Sequence, residues 1–390
     1  MNKSLIEPSS RIEGLEEYYF STKLKQIREM NLTGEPVINL GIGSPDRAPA
    51  ADVIEELALT ARDEKAHGYQ PYQGIPDLRK AFSAWYSRSY GVELDPESQI
   101  LPLFGSKEGL MHIAMSFLGP GDAALVPDPG YPAYSAVTRL AGAKVITYPL
   151  LPENTWLPDL NFIELLGLNR VKVMWVNYPH MPTGKRATKE LFEELVAFAR
   201  CHKILLVNDN PYSFILNDQP ISLLGAKDAI ETSLELNSLS KSHNMAGWRI
   251  GMVAGRKEYL DYLMRFKSQM DSGMFKPMQL AAVKALEAGP EWYEGINSVY
   301  RERKVIAHAL LDHLKCTYDK DQSGLFVWAR IPPAEDSGQG LADRILMEKR
   351  VFITPGFIFG PQGDRYVRVS LCQPGEVINS AIDRIKGVIS

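Results

Sequence analysis

Between residues 123 and 254 the chain alternates short apolar runs with stretches of helical periodicity. The apolar runs cover 123–127, 144–148, 171–176, 204–207, 233–236 and 250–254. They lack the polar alternation of a half-exposed strand, which predicts strands covered on both faces, as in a mostly parallel sheet. Apolar positions at helical spacing predict helices over 107–118, 132–140, 189–202 and 259–270. Pro132 suits the first turn of its helix, and Gly142 follows that helix as a stop signal. Strand–helix alternation on this scale predicts an α/β domain with helices on both faces of the sheet.

From about residue 291 the pattern changes. A long helical pattern over 292–314 is followed by strand-like runs at 324–331, 351–354 and 366–371. These predict a smaller α+β domain, completed by the N-terminal segment folding back. The expected division is a large domain over 48–288 and a small domain built from 1–47 and 289–390. No internal repeat, low-complexity tract or Gly/Ser linker interrupts the chain.

Composition narrows the class of function. The 390 residues are 45% hydrophobic and 23% charged, as in soluble globular proteins. A formal net charge of −4 gives no electrostatic case for nucleic acid or an anionic membrane. No apolar run approaches the ~18 residues that span a bilayer, and Met1-Asn2-Lys3-Ser4-Leu5-Ile6-Glu7-Pro8 has no apolar core of a secretory signal. Cys201, Cys316 and Cys372 are too far apart for a disulfide framework or a zinc site, and each is expected as a buried thiol in a reducing compartment. The seven histidines show no metal-ligand spacing, so no metal is expected. These features predict a cytoplasmic protein.

Candidate chemistry gathers where three of the apolar runs end. In open α/β sheets, ligands bind at the carboxyl ends of the strands. The run 171–176 leads to Asn177, 204–207 to Asn208 and Asp209, and 233–236 to Asn237, Ser238 and then Lys241. Lys241 stands among hydroxyls in Ser238-Leu239-Ser240-Lys241-Ser242, with Arg249 eight residues on. Such an amine suits a Schiff base with an aldehyde cofactor, whose phosphate the hydroxyls and the guanidinium hold. Asp209 could keep a cofactor ring nitrogen protonated, and Tyr212, three residues on, could donate to its phenolic oxygen. Gly105-Ser106-Lys107 opens a predicted helix, whose first N–H groups form a phosphate seat. It lacks the Gly-Lys-Ser/Thr ending of a P-loop. Arg368 lies between apolar neighbours in Tyr366-Val367-Arg368-Val369-Ser370, where a guanidinium pointing inward is costly unless it meets an anion.

The stretch from Ser238 to Arg249 resembles the lysine signature of class I/II aminotransferases, fold-type I enzymes that use pyridoxal 5′-phosphate. Asp209-Asn210-Pro211-Tyr212, and Asn177-Tyr178-Pro179-His180-Met181-Pro182-Thr183-Gly184 with Met181 where many members carry Asn, are similar to motifs of the same family. The resemblance runs from Gly41 to Ser370 with the motifs in order. It implies a large domain with a seven-stranded, mostly parallel sheet and a small domain from both chain ends. By the same resemblance Lys241 carries the cofactor and moves protons, and Asp209 and Tyr212 tune it. Gly105, Ser106, Lys107, Ser238 and Arg249 hold its phosphate, Tyr131 stacks on its ring, and Asn177 bonds its phenolic oxygen. Arg368 grips the substrate α-carboxylate, with Asn177 and Gly43 beside the substrate. Tyr69, in Tyr69-Gln70-Pro71-Tyr72-Gln73-Gly74, reaches the neighbouring subunit's phosphate in family dimers, which implies a homodimer.

The implied reaction is ping-pong exchange of an amino group between an L-amino acid and a 2-oxo acid, with glutamate and 2-oxoglutarate as one pair. The nearest members act on LL-diaminopimelate, aspartate or alanine. Dicarboxylate-specific enzymes of one subgroup place a second arginine near the region of Ser272-Gly273. Here 270–276 has none, which leaves Lys23 and Tyr18 as N-terminal candidates. A β C–S lyase on the same fold is the alternative, releasing pyruvate and ammonia. A cofactor-sensing module fused to a DNA-binding domain fits poorly, because no basic patch is present.

Overall fold

All six apolar runs are strands of one sheet. The computed structural model describes residues 5–12, 15 and 17–388. The first four and last two residues of the expected small domain, together with Glu13, Gly14 and Glu16, lie outside the described residues. The central sheet comprises β1 (Ile100–Leu103), β2 (Ala123–Asp128), β3 (Lys144–Pro149), β4 (Val171–Val176), β5 (Leu205–Asp209), β6 (Ser233–Ser238) and β7 (Gly251–Gly255), in the order β1-β7-β6-β5-β4-β2-β3. β7 runs against both of its neighbours and the others are parallel to one another. β1 is the strand that the apolar pattern does not reveal. Its four residues include Pro102, which weakens a strand signal, and proline is tolerated there because β1 is an edge.

Side chains alternate across the sheet, so each face packs its own helices. Val173, Trp175, Val207, Leu234 and Leu236 share a core with α2 (Ser106–Phe117) and α3 (Pro132–Leu140). Met174, Val176 and Leu206 face the opposite way, towards α4 (Lys189–His202). Pro132 occupies the first turn of α3 as predicted, and Gly142, just past its end, takes φ 81°.

A separate core draws on both chain ends. It joins Phe20 and Ile27 of α1 (Tyr19–Asn31) to Ile296, Leu310 and Leu311 of α5 (Pro290–His313). Its antiparallel strands include β8 (Phe326–Arg330) and β9 (Tyr366–Ser370). The run expected over 351–354 is two short strands, Val351–Phe352 and Thr354–Pro355. The first pairs with Ile38–Asn39, which brings the N-terminal segment back onto the C-terminal part. Cys316 and Cys372 are buried thiols. Cys201 is exposed, contrary to expectation, because it falls on the outward side of the last turn of α4. Among the described residues no helix is long and apolar enough to cross a membrane.

Candidate active site

The ends of β4, β5 and β6 open into a cavity of about 700 Å³. Every residue assigned a cofactor or α-carboxylate role lines it except Gly105 and Tyr69. The strand-end logic explains the convergence, since Asn177, Asp209 and Ser238 follow positions that face α2 and α3.

Asp209 lies at the floor. The hydroxyl of Tyr134 donates to its Oδ2 at 3.1 Å, and the Ser106 hydroxyl lies nearby, while Oδ1 is buried without a partner. Burial pushes its carboxyl up to about 7, although both hydroxyls pull it down. A buried carboxylate oxygen aimed into a cavity is suited to a protonated ring nitrogen. Tyr134 packs flat on Trp175, with ring centroids 5.5 Å apart and planes 8° apart, and meets Tyr131 edge-on. The amide of Asn177 donates to the Asp209 carbonyl and accepts from the Met181 N–H at 2.8 Å, which ties two strand ends together.

Lys241 sits on the short helix Leu239–Ser242 that follows β6, and its Nζ donates to the carbonyl of Gly43. Burial lowers the pKa of the amine; the nearby Arg368 and Arg249 lower it further, against an opposing influence of Cys372. The neutral, nucleophilic amine is thereby favoured. Gly43 is required sterically, because a Cβ there would run into the ring of Phe326.

A second cluster lies where α2 begins. Gly105 precedes the helix at φ 86° and no side chain caps it. A Cβ at Gly105 would collide with the Arg249 guanidinium, so glycine lets backbone and arginine approach. Arg249 itself is left-handed at φ 57° and donates to the Ala246 carbonyl at 2.8 Å. With Ser238 and Ser240 this forms a cradle of N–H groups, hydroxyls and a cation that fits a phosphate. Ser240 was not singled out from the sequence, although it lies inside the Lys241 motif.

On the opposite wall, Arg368 is 4% exposed. Its guanidinium carbon lies 3.7 Å from the Phe326 ring centroid and 4.7 Å from that of Phe359. It donates to the Gly41 carbonyl at 2.9 Å, and its Nε is buried without a partner. Burial lowers its pKa to about 10, so it stays charged at neutral pH. No carboxylate pairs with it among the described residues. Tyr18, Phe20 and Leu24 from the start of α1 close the cavity, and sequence reasoning missed Phe20 and Leu24. Of the two N-terminal candidates, Tyr18 lines the cavity. Lys23 is instead paired with Asp343 at 2.8 Å.

Four basic side chains, Lys107, Lys241, Arg249 and Arg368, thus line the cavity with the single carboxylate of Asp209. Tyr69 is 92% exposed and does not line the cavity of its own chain. The cluster with metal-ligand geometry among the described residues is Glu108, His112 and Asp271. There the Lys267 ammonium already sits 2.6 Å from Asp271, which disfavours a further cation.

Comparison with known proteins agrees with this geometry. The profile of the family "Aminotransferase class I and II" matches residues 35–385. An LL-diaminopimelate aminotransferase of Dehalococcoides mccartyi is 41% identical over 97% of each chain. One from Moorella thermoacetica is 38% identical over 98% of this chain and 99% of its own. Substrate-bound BacF from Bacillus subtilis superposes with a TM-score of 0.94 at 36% identity, covering 99% of this chain and 98% of its own. A Thermus thermophilus aspartate aminotransferase mutant gives 0.91 at 27% identity, covering 99% of this chain and 100% of its own. The family and the Dehalococcoides, Moorella and Thermus relatives carry aminotransferase names, which disfavours the C–S lyase. The chain belongs to the class I and II aminotransferases, enzymes that use pyridoxal phosphate to transfer amino groups.

Proposed function

We propose that this aminotransferase exchanges an amino group between an L-amino acid and a 2-oxo acid in two half-reactions, with glutamate and 2-oxoglutarate as one pair. The observation that carries the reading is the meeting of Lys241, Asp209 and Arg368 in one cavity. Bound there, pyridoxal phosphate supplies an aldehyde that condenses with amines and a ring that accepts electron density from Cα.

The side chains take the remaining tasks. Asp209, ionised against the protonated ring nitrogen, holds the ring as an electron acceptor, while Tyr212 and Asn177 donate to its phenolic oxygen. Tyr131 stacks on the ring. Arg249, Ser238 and the N–H groups that open α2 hold the phosphate. Arg368 grips the α-carboxylate, and Gly43 leaves room beside it. This would fix the substrate so that its Cα–H bond faces Lys241, whose free amine would take that proton as base and deliver it as acid to the cofactor carbon that carried the aldehyde.

A second carboxylate would meet Lys107. Its Nζ lies 4.8 Å from the Tyr18 ring centroid, and burial lowers its pKa. Glutamate and LL-diaminopimelate both carry such a group, and the names of the relatives make the latter the first donor to test. We also propose a homodimer in which the exposed Tyr69 reaches the phosphate held by a second copy. The division into 48–288 and 1–47 with 289–390 would place Arg368 and Gly43 in the small domain, opposite Lys241. Three unpaired cysteines support a cytoplasmic setting.

The test is to add single amino acids to the holoenzyme while following its visible absorbance and the 2-oxo acid formed. Loss of the band with stoichiometric 2-oxo acid supports the reading. An unchanged band, with pyruvate and ammonia formed from a cystathionine-type substrate, overturns it.

A further inference from the structure

Behind the cavity, on the other face of the sheet, lies a carboxylate that the reaction does not touch. Glu235 of β6 is 0% exposed, and no cation pairs with it among the described residues. Four donors converge on it. The hydroxyls of Ser222 (2.6 Å) and Tyr86 (3.1 Å) reach Oε1, and the Asn208 amide (2.9 Å) and Leu223 N–H (2.8 Å) reach Oε2.

Strand alternation places this cluster back to back with the active site. Asp209 and Ser238 face the cavity, so their neighbours Asn208 and Asn237 face the side of Glu235. Asn208 Oδ1 accepts from the N–H of Tyr178, the residue after Asn177, at 3.1 Å. In the other direction Tyr86 accepts from the Asn237 amide at 3.4 Å, and Asn237 Oδ1 accepts from the N–H of Ser238 at 2.8 Å. One buried chain of hydrogen bonds therefore runs from the backbone of Ser238 through Glu235 to the backbone beside Asn177.

We infer that Glu235 is a positioning residue that fixes, from the far face of the sheet, the relative placement of the strand ends carrying Asn177, Asp209 and Ser238. The inference rests on the roles proposed for those three residues. A carboxylate suits the task because its two oxygens accept from all four donors and need no acceptor in return, whereas an amide would turn two N–H groups towards donors.

The experiment compares wild-type holoenzyme with Glu235→Gln and Tyr86→Phe. Glu235→Gln is expected to unfold cooperatively and to lose about 10-fold in kcat, with a smaller change in KM, since the strand ends are displaced rather than the substrate contacts removed. The pH midpoint of the bound cofactor's absorbance shifts with it. Tyr86→Phe shows the same changes to a smaller extent, and it decides the matter if Glu235→Gln does not fold. A folded variant with wild-type kcat per bound cofactor and an unmoved midpoint, altered only in Tm, overturns the inference. A wild-type enzyme without any amino-acid-dependent change in absorbance would instead overturn the functional reading, and the inference with it.

Discussion

Burial sets the chemistry of the individual side chains. Lys241 needs its neutral form to act as a nucleophile, and the same dry surroundings that lower its pKa raise that of Asp209. Lys241→Ala should reduce turnover to background while some noncovalent cofactor binding remains; near-normal turnover in that variant would refute the assignment. For Asp209 the sign of the pH effect follows from linkage. In the cofactor-free protein its carboxyl titrates at about 7, against roughly 3.9 when unfolded. Its contribution to stability is therefore present below about 4 and is lost as pH rises through 7, at most about 4 kcal/mol. The Tm difference between wild type and Asp209→Asn should vary with pH across that window and level off above it. Arg368→Lys keeps a charge and loses the fork, so kcat/KM for amino acids should fall about 100-fold, near 3 kcal/mol. Steady-state kinetics with two amino acids would check this.

At the level of elements, the strands were legible because a strand covered on both faces is a plain apolar run, and polar residues directly after it mark the binding edge. Asn177, Asp209 and Lys241 could be found in that way. β1 could not, because Pro102 breaks the pattern, and neither could the contribution of α1. Phe20 and Leu24 look like ordinary positions of an amphipathic helix, and nothing local states which cavity that helix will cover. Glu235 was equally hidden, since a lone acid within an apolar run carries no sign of the four donors awaiting it. The start of α2 offers a test. Gly105→Ala requires both a left-handed alanine and a displaced Arg249. It should weaken cofactor binding about 10-fold, corresponding to ~1.4 kcal/mol, with the fold retained. A cofactor titration followed by fluorescence, beside circular dichroism, would show both.

Across the whole molecule, distant segments meet through a few ionic ties. Arg303 of α5 holds both oxygens of Asp46, at 2.7 and 2.8 Å, and the carbonyl of Leu371, which links the loop bearing Gly43 to the C-terminal region. Its guanidinium is largely buried, so Arg303→Ala should cost about 3 kcal/mol, measured by denaturant unfolding. The proposed homodimer makes cofactor affinity depend on Tyr69. Tyr69→Phe should raise the cofactor Kd without lowering the Tm of the cofactor-free protein.

The basic side chains around Asp209 have a consequence for capture. The chain as a whole carries −4, yet its binding mouth has the opposite sign. An approaching anion is repelled at long range and drawn in only near the opening, where low-dielectric walls concentrate the field. Added salt should therefore slow the association of pyridoxal phosphate more than it speeds its release. Sulfate and inorganic phosphate should compete with the cofactor, while neutral solutes of similar size should not. Discrimination would then begin at encounter, ahead of any contact with an individual side chain.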